Sequence, residues 1–455
     1  MESASRPRVG MISLGCPKNL VDSEIMLGRL AERGYAIVDD VAGADTVIVN
    51  TCGFVDAAKE ESIDAILEVA ALKGRGVERL LVAGCMVNRY GEELATAVPE
   101  IDGFVGLDDL DTVDSVLRIG GGPPPAAPAF RVFDHTAPRL LTTKGYAYLK
   151  VAEGCNNPCT FCAIPIWRGR LRSRTLGSLV AEARRLEASG VRELCLVAQD
   201  TTRYGEDLGL GRGGLRELVE VLLGETTIPW IRFLYAYPTT LDEGLLRLMG
   251  REERFLSYLD MPLQHSHPEI LAAMKRGGRA EHYLELLAAA RELVPGVFLR
   301  STFIVGFPGE TRRHFDHLAA FVERARFDHL GGFLYSAEPG TPAAEMGRRV
   351  PRRTAQRRYE ELLEVQRPIS LASRRRLVGR RLPVLVEGVC EETEHLLQGR
   401  HQGMAPGIDG RVLINDGVAP AGSLVDVEIT EAHADDLVGR VVGARAEPGV
   451  LLAVP

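Results

Sequence analysis

Two series of alternating strand-like and helix-like segments, separated by a run of glycine and proline, set the architecture of this chain. In the first series Arg8–Leu14, Asp45–Asn50 and Glu78–Ala83 read as strands. Helices are expected over Asp22–Arg33, Asp56–Leu72 and a shorter stretch from about Tyr90. Repeated β-α units predict a parallel sheet with helices on its faces. Gly120–Pro128 (GGGPPPAAP) cannot hold a regular element and marks a boundary. The second series offers strands at Tyr146–Val151, Glu193–Ala198, Trp230–Leu234, Tyr258–Met261, Phe298–Val305 and His329–Tyr335. Amphipathic helices fill the gaps, among them Ser178–Ser189, Leu215–Leu223, His282–Leu293 and Thr311–Ala325. Six such units in about 230 residues suggest a (βα)6 barrel or partial barrel, smaller than the ~250 residues typical of eight units. From about Leu382 the pattern changes to short β-rich runs between glycine-bearing turns, which predicts a small antiparallel β-barrel. The expected class is α/β multidomain: a parallel α/β domain (residues 8–119), a Gly/Pro-rich linker (120–139), the barrel core (140–372) and the β-barrel (373–445).

Composition narrows the function. Fifty-four basic against 62 acidic residues give a net charge of −8, which argues against a general nucleic-acid coat. The longest apolar runs are too short to cross a bilayer, and Met1–Gly10 leads into no apolar signal segment. A soluble, cytoplasmic protein without membrane contact is expected. Eight cysteines in 455 residues are too few for a disulfide scaffold, so metal or redox chemistry is the better expectation.

Cys155, Cys159 and Cys162 form a Cys-x3-Cys-x2-Cys set just after a predicted strand, in a loop with Gly154 and Pro158. Three thiolates suit three corners of an iron–sulfur cluster, leaving the fourth iron open for a substrate. A zinc site or unrelated thiols are the alternatives; closed structural zinc needs a fourth ligand that is not nearby. Cys16, Cys52 and Cys85 each follow one of the first three strands, the edge at which open α/β sheets present ligands. Three distant cysteines at equivalent positions can converge, and a second three-cysteine iron–sulfur site is expected. Cys195 and Cys390 match neither set and are assigned to packing.

The first spacing, with Phe161 before its last cysteine, resembles the radical S-adenosylmethionine (SAM) family. That resemblance implies a [4Fe-4S] cluster whose open iron chelates SAM, and reductive cleavage to a 5′-deoxyadenosyl radical that removes an unactivated hydrogen. It also implies that Gln199 and Asp200, in VAQD, face the methionine part of SAM. Gly306 and Gly309, in FIVGFPGE, would lie beside the adenine, and Phe161 would line the cofactor. With the second cysteine set and the tail, nearly the whole chain resembles the methylthiotransferase family. In that family two [4Fe-4S] clusters and two SAM equivalents serve the reaction, a reducing partner such as flavodoxin or ferredoxin supplies electrons, and the tail is a TRAM-type barrel.

Ile12–Glu24 (ISLGCPKNLVDSE), Ala163–Arg174, Leu259–Leu271, Phe333–Ala344 and Ala405–Val412 resemble the ribosomal-protein branch of that family. Gly407 departs from the glutamate usual in the last of these. The resemblance implies methylthiolation of an aspartate β-carbon in a basic small-subunit ribosomal protein near the decoding centre. Residues 382–455 carry 12 acids against four arginines, a balance that suits a basic protein better than phosphates. Arg348–Arg381 is the opposite, with 12 arginines against three acids, and reads as an amphipathic helix or a ribosomal RNA contact. Arg168, Arg170, Arg172 and Arg174 recur at every second residue and, if extended, would share a face above the cofactor as carboxylate holders; structural ion pairs are the other reading. A tRNA adenosine methylthiotransferase is the alternative function. A cluster-bearing electron carrier or zinc adaptor is the non-enzymatic one.

Overall fold

The structure, a computed structural model, describes residues 6–119, 122–124 and 129–445. The first series folds into β1 (Arg8–Ser13), α1 (Pro17–Glu32), β2 (Ala36–Ile37), β3 (Thr46–Thr51), α2 (Asp56–Ala70), β4 (Arg79–Gly84), α3 (Cys85–Ala97), β5 (Gly103–Val105) and α4 (Val113–Ile119). Its strands form one parallel sheet in the order β2-β1-β3-β4-β5. Strand order reverses between β1 and β3, and in such sheets the crevice beyond the strand ends at that point is where ligands bind. Cys16 and Cys52 follow those two strands.

Two helices begin earlier than their apolar spacing suggests. α1 starts at Pro17 with Cys16 as its N-cap, and proline is well tolerated there because the first turn needs no N–H donor. α3 starts at Cys85, not near Tyr90; Tyr90 itself is non-helical (φ −126°, ψ 22°) and kinks the helix, which hides its first turn from a periodicity argument. Apart from 122–124, the expected Gly120–Pro128 linker lies outside the described residues.

The core contains β6 (Tyr146–Lys150), β7 (Ala152–Glu153), α5 (Ile164–Trp167), β8 (Arg172–Ser173), α6 (Leu176–Ala188), β9 (Glu193–Val197), α7 (Gly214–Glu225), β10 (Trp230–Phe233) and α8 (Glu243–Arg251). It continues through β11 (Tyr258–Asp260), α9 (Pro268–Ala273), α10 (Ala280–Leu293), β12 (Phe298–Val305), α11 (Arg312–Ala325) and β13 (His329–Leu334). β6-β9-β10 and β11-β12-β13 are parallel ladders. They meet where Ile231 N–H donates to Arg254 O (2.7 Å) and Leu256 N–H to Ile231 O (2.8 Å). Six parallel strands therefore succeed one another around an open barrel, whose helix-facing side carries Leu196, Phe233, Leu259 and Phe303 into the main apolar core with Leu179, Leu218 and Phe321.

α12 (Arg352–Arg375) packs its Ala355, Leu362 and Ile369 side on the core. The tail then closes into a barrel of β14 (Arg381–Cys390), β15 (Thr393–His401), β16 (Val412–Asp416), β17 (Leu424–Ala432) and β18 (Leu437–Ala444), in ring order β14-β15-β16-β18-β17. The antiparallel expectation needs correcting: β16 and β18 run parallel. A closed ring with an odd number of strands cannot alternate direction all the way round, so one parallel pair is unavoidable.

Buried ion pairs join the barrel to the core. Arg400 of β15 donates to Glu193 of β9 (2.7 Å), whose other oxygen takes Arg232 of β10. Asp409, in the turn before β16, accepts from Tyr258 Oη (2.6 Å) and Arg300 Nε (3.3 Å). Burial alone would push the Glu193 carboxyl up, but Arg232 and Arg400 outweigh it and hold the group below its ordinary value. Its stabilising contribution is therefore complete above the unfolded pKa of ~4.3 and fades as pH falls through the lowered folded value. Glu193→Gln should cost ~3–5 kcal/mol at neutral pH, because the buried Arg232 guanidinium loses its counter-charge and Arg400 keeps only Glu387. Urea denaturation across pH should show the wild-type advantage shrinking in acid; an equal gap at every pH would rule out this ion-pair role.

Candidate active site

The carboxyl edge of the N-terminal sheet faces the carboxyl ends of the core strands. Lys59 of α2 pairs with Glu338 beyond β13 (3.0 Å), and Arg89 of α3 donates to Pro339 O (3.3 Å). Lys18 of α1 lies 3.7 Å from the centre of the Tyr235 ring, just beyond β10.

On the N-terminal side Cys16 and Cys52 follow β1 and β3 and Cys85 opens α3, and Cys52 lies near enough to the other two to feel their charge. Gly15 makes this approach feasible: its φ is +88°, and a Cβ there would lie 2.5 Å from Cys52 Cβ and 2.8 Å from its sulfur. Cys16 caps α1 and Cys85 opens α3, so two helix N-termini turn their partial positive charge towards the sulfurs. On the core side Cys155, Cys159 and Cys162 share the loop between β7 and α5. Gly154 (φ +75°) admits the tight return of this loop, since a Cβ would lie 2.1 Å from Arg170 O. Asn157 N–H donates to Cys155 Sγ (3.4 Å), and Arg276 Nη1 lies 3.7 Å from Cys159 Sγ.

Both donor sets fit iron–sulfur clusters. Burial pushes the Cys52 and Cys162 thiols up to about 12 and Cys155 to about 11, so these groups need a bound cation to become thiolates. Among the described residues neither cysteine set brings its three sulfurs within 4.8 Å of one another. The group that does bring metal-competent atoms within 4.8 Å is His267, Glu269 and His314. There Nδ1 of His267 and of His314 accept the backbone N–H of Glu269 and Thr311 as helix caps. A neutral imidazole in that role carries its proton on Nε2, and His314 Nε2 faces Glu269 at 3.2 Å. That arrangement is a capping cluster.

The residues expected around SAM have these settings. Gln199 donates through Nε2 to Glu153 (3.4 Å), while its buried Oε1 has no partner, an acceptor suited to an ammonium group. Asp200 accepts from Asn157 Nδ2 (2.6 Å) and Thr202 Oγ1 (2.5 Å), so it steadies the cysteine loop. Phe161 packs against Ile270, Met274, Ile304, Phe307 and Ala343. Gly306 N–H donates to Glu310 Oε2 (2.9 Å) and Gly309 N–H to Arg348 O (2.9 Å), and the space beside Gly309 is open.

The arginines after the core set do not share one extended face, because only Arg172 and Ser173 are in a strand. Arg174 pairs with Glu182 (2.6 Å) as a structural ion pair, and Arg172 lies 5.5 Å from the Phe130 ring centre. Arg168 is different. Its buried guanidinium donates to Glu153 (2.9 Å), Asp22 (3.1 Å) and Cys85 Sγ (3.3 Å), joining core, α1 and the N-terminal cysteine set. Sequence spacing could not have singled it out among four arginines. Cys195 and Cys390 are buried in strands, as packing residues should be.

Comparison with known proteins agrees with this construction. Family models match in chain order: "Uncharacterized protein family UPF0004" over residues 8–106, the radical SAM superfamily over 149–322 and the TRAM domain over 378–442. Among solved structures, the radical S-adenosylmethionine methyltransferase TsrM from Kitasatospora setae matches with a TM-score of 0.55 at 16% identity, covering 74% of each chain, which supports the fold. The chain is thus a radical SAM protein with a second cysteine-bearing domain and a TRAM barrel. Radical SAM membership implies a [4Fe-4S] cluster and SAM. The "Ribosomal protein uS12 methylthiotransferase RimO" of Myxococcus xanthus is 47% identical, over 97% of this chain and 93% of that protein. Those of Anaeromyxobacter sp. (strain K) and Geobacter sulfurreducens are 49% and 46% identical, over 98% and 97% of this chain and 97% and 100% of theirs. The chain belongs to the RimO family of ribosomal protein uS12 methylthiotransferases. No described helix is long and apolar enough to cross a membrane.

Proposed function

We propose that this chain transfers a methylthio group to the β-carbon of an aspartate in ribosomal protein uS12, using two SAM equivalents. The observation that carries the reading is the pair of three-cysteine sets on facing edges of two domains in a member of the RimO family. Cys155, Cys159 and Cys162 hold the SAM-binding [4Fe-4S] cluster, and Cys16, Cys52 and Cys85 hold a second one. When bound, the cofactors supply radical C–H activation at one site and the sulfur at the other.

The protein's task is binding and exclusion. Gln199 offers its free Oε1 to the SAM ammonium, Asp200 holds Asn157 and through it the cysteine loop, and Phe161, Gly306 and Gly309 line the nucleoside side. No general base is assigned, since side-chain bases do not readily deprotonate a β-carbon and the radical makes one unnecessary. The acidic tail complements a basic ribosomal protein, and a flavodoxin or ferredoxin supplies electrons. In α12, Arg358 pairs with Glu310 (2.6 Å) and Arg357 faces Glu361 (3.9 Å), so packing and local ion pairs account for these two arginines.

The test is mass spectrometry after anaerobic reconstitution with SAM, reductant and sulfide, offering uS12 and unmodified tRNA together. A methylthio gain on one uS12 aspartate is expected. A gain on tRNA adenosine alone would overturn the substrate reading.

A further inference from the structure

Lys18 is 7% exposed, yet among the described residues it is the buried lysine or arginine with neither a hydrogen bond nor a salt bridge. Its surroundings explain why no internal partner is at hand. Asp22 and Glu153 are each taken by both Lys150 and Arg168, and Asp260 is taken by Arg300. An ammonium withdrawn from water is costly unless it is paired, and among the described residues Lys18 has no direct ion pair within the protein.

The second observation is across the gap. The Tyr235 ring under the ammonium belongs to a residue at φ +65°, a conformation unfavourable for a bulky side chain. Tyr235 is held there from both sides: its N–H donates to Asp260 Oδ2 (3.0 Å) and its carbonyl accepts from Thr201 N–H (3.1 Å). Strain maintained in this way concentrates at functional sites. Lys18 thus projects from the N-terminal domain over the strand ends of the core, the face where such barrels receive substrates. The cysteine set beside it already has Arg168 as its cation, on Cys85 Sγ at 3.3 Å.

We propose that Lys18, seated on Tyr235, binds the side-chain carboxylate of the aspartate to be modified and so selects an acidic residue. This rests on the uS12 aspartate reading above. A carboxylate held by the ammonium would keep its adjacent β-carbon at the core strand ends, where Tyr235 lies.

The test uses reconstituted holoenzyme and two labelled uS12 peptides, one with the target aspartate and one with asparagine in its place. Peptide affinity, SAM affinity and iron content are measured for wild type, Lys18→Met and Lys18→Arg. Wild type should prefer the aspartate peptide by about tenfold, a typical worth for one charge-assisted contact. Lys18→Met should bind both peptides alike and Lys18→Arg should keep part of the preference, with SAM affinity and iron content as in wild type. A preference that survives in Lys18→Met overturns the proposal. Loss of SAM affinity would assign the ammonium to the SAM carboxylate, and loss of iron would assign it to the cluster; either also overturns it. If wild type fails to methylthiolate the aspartate peptide and modifies tRNA instead, the functional reading falls first.

Discussion

Replacing Cys155, Cys159 and Cys162 together by alanine is expected to abolish both SAM cleavage and methylthio transfer. Replacing Cys16, Cys52 and Cys85 should abolish transfer while leaving SAM cleavage measurable. The asymmetry follows from the placement of the two sets, one in the core loop that Asp200 steadies through Asn157, the other at the switch point of a separate sheet. Each triple variant should lose about half of the reconstituted iron if both sets hold clusters of equal size. Iron analysis, cluster absorbance and chromatography of the cleaved nucleoside decide the matter. If loss of the N-terminal set left transfer intact, the two-cluster reading would be wrong.

Arg168→Met should be the most damaging single substitution outside the cysteines. Among the described residues it leaves buried Asp22 and Glu153 ion-paired with Lys150 alone, and removing one partner of such a network costs ~3–5 kcal/mol. It also takes a donor from Cys85 Sγ, so a cluster held by that set should be altered in reduction potential as well as in retention. Arg168→Lys should restore little, because one compact ammonium does not span acceptors that the planar guanidinium reaches from two separate nitrogens. Urea denaturation measures the first effect and a potentiometric titration the second. A variant as stable as wild type with an unshifted potential would reduce Arg168 to packing.

What could be read from the sequence follows the length over which a physical pattern acts. Strand β12 spans Phe298–Val305, the residues read as a strand, because the β-favouring Phe298, Thr302, Phe303, Ile304 and Val305 outweigh Arg300 and Ser301. α1 and α3 were legible in the middle and illegible at the start, since Cys16-Pro17 and the first turn of α3 are placed by capping and by a kink. The gathering of Cys16, Cys52 and Cys85 was readable from topology alone. The partnerships of Arg168, Lys18 and Tyr235 were not, because each reaches across domains to residues more than 80 positions away. The parallel β16–β18 pair is a closure effect that no local run of residues encodes.

The Glu193–Arg400 and Asp409–Arg300 ion pairs give the tail barrel a further property. A module on a flexible tether raises the local concentration of its cargo but leaves the cargo free to explore. A module bolted to the core through buried charges works as a caliper. Whatever protein surface its outer wall grips, the span from that grip to the strand ends is constant. Residues at other spacings along the same partner then go unmodified for want of reach, however well their chemistry suits the site.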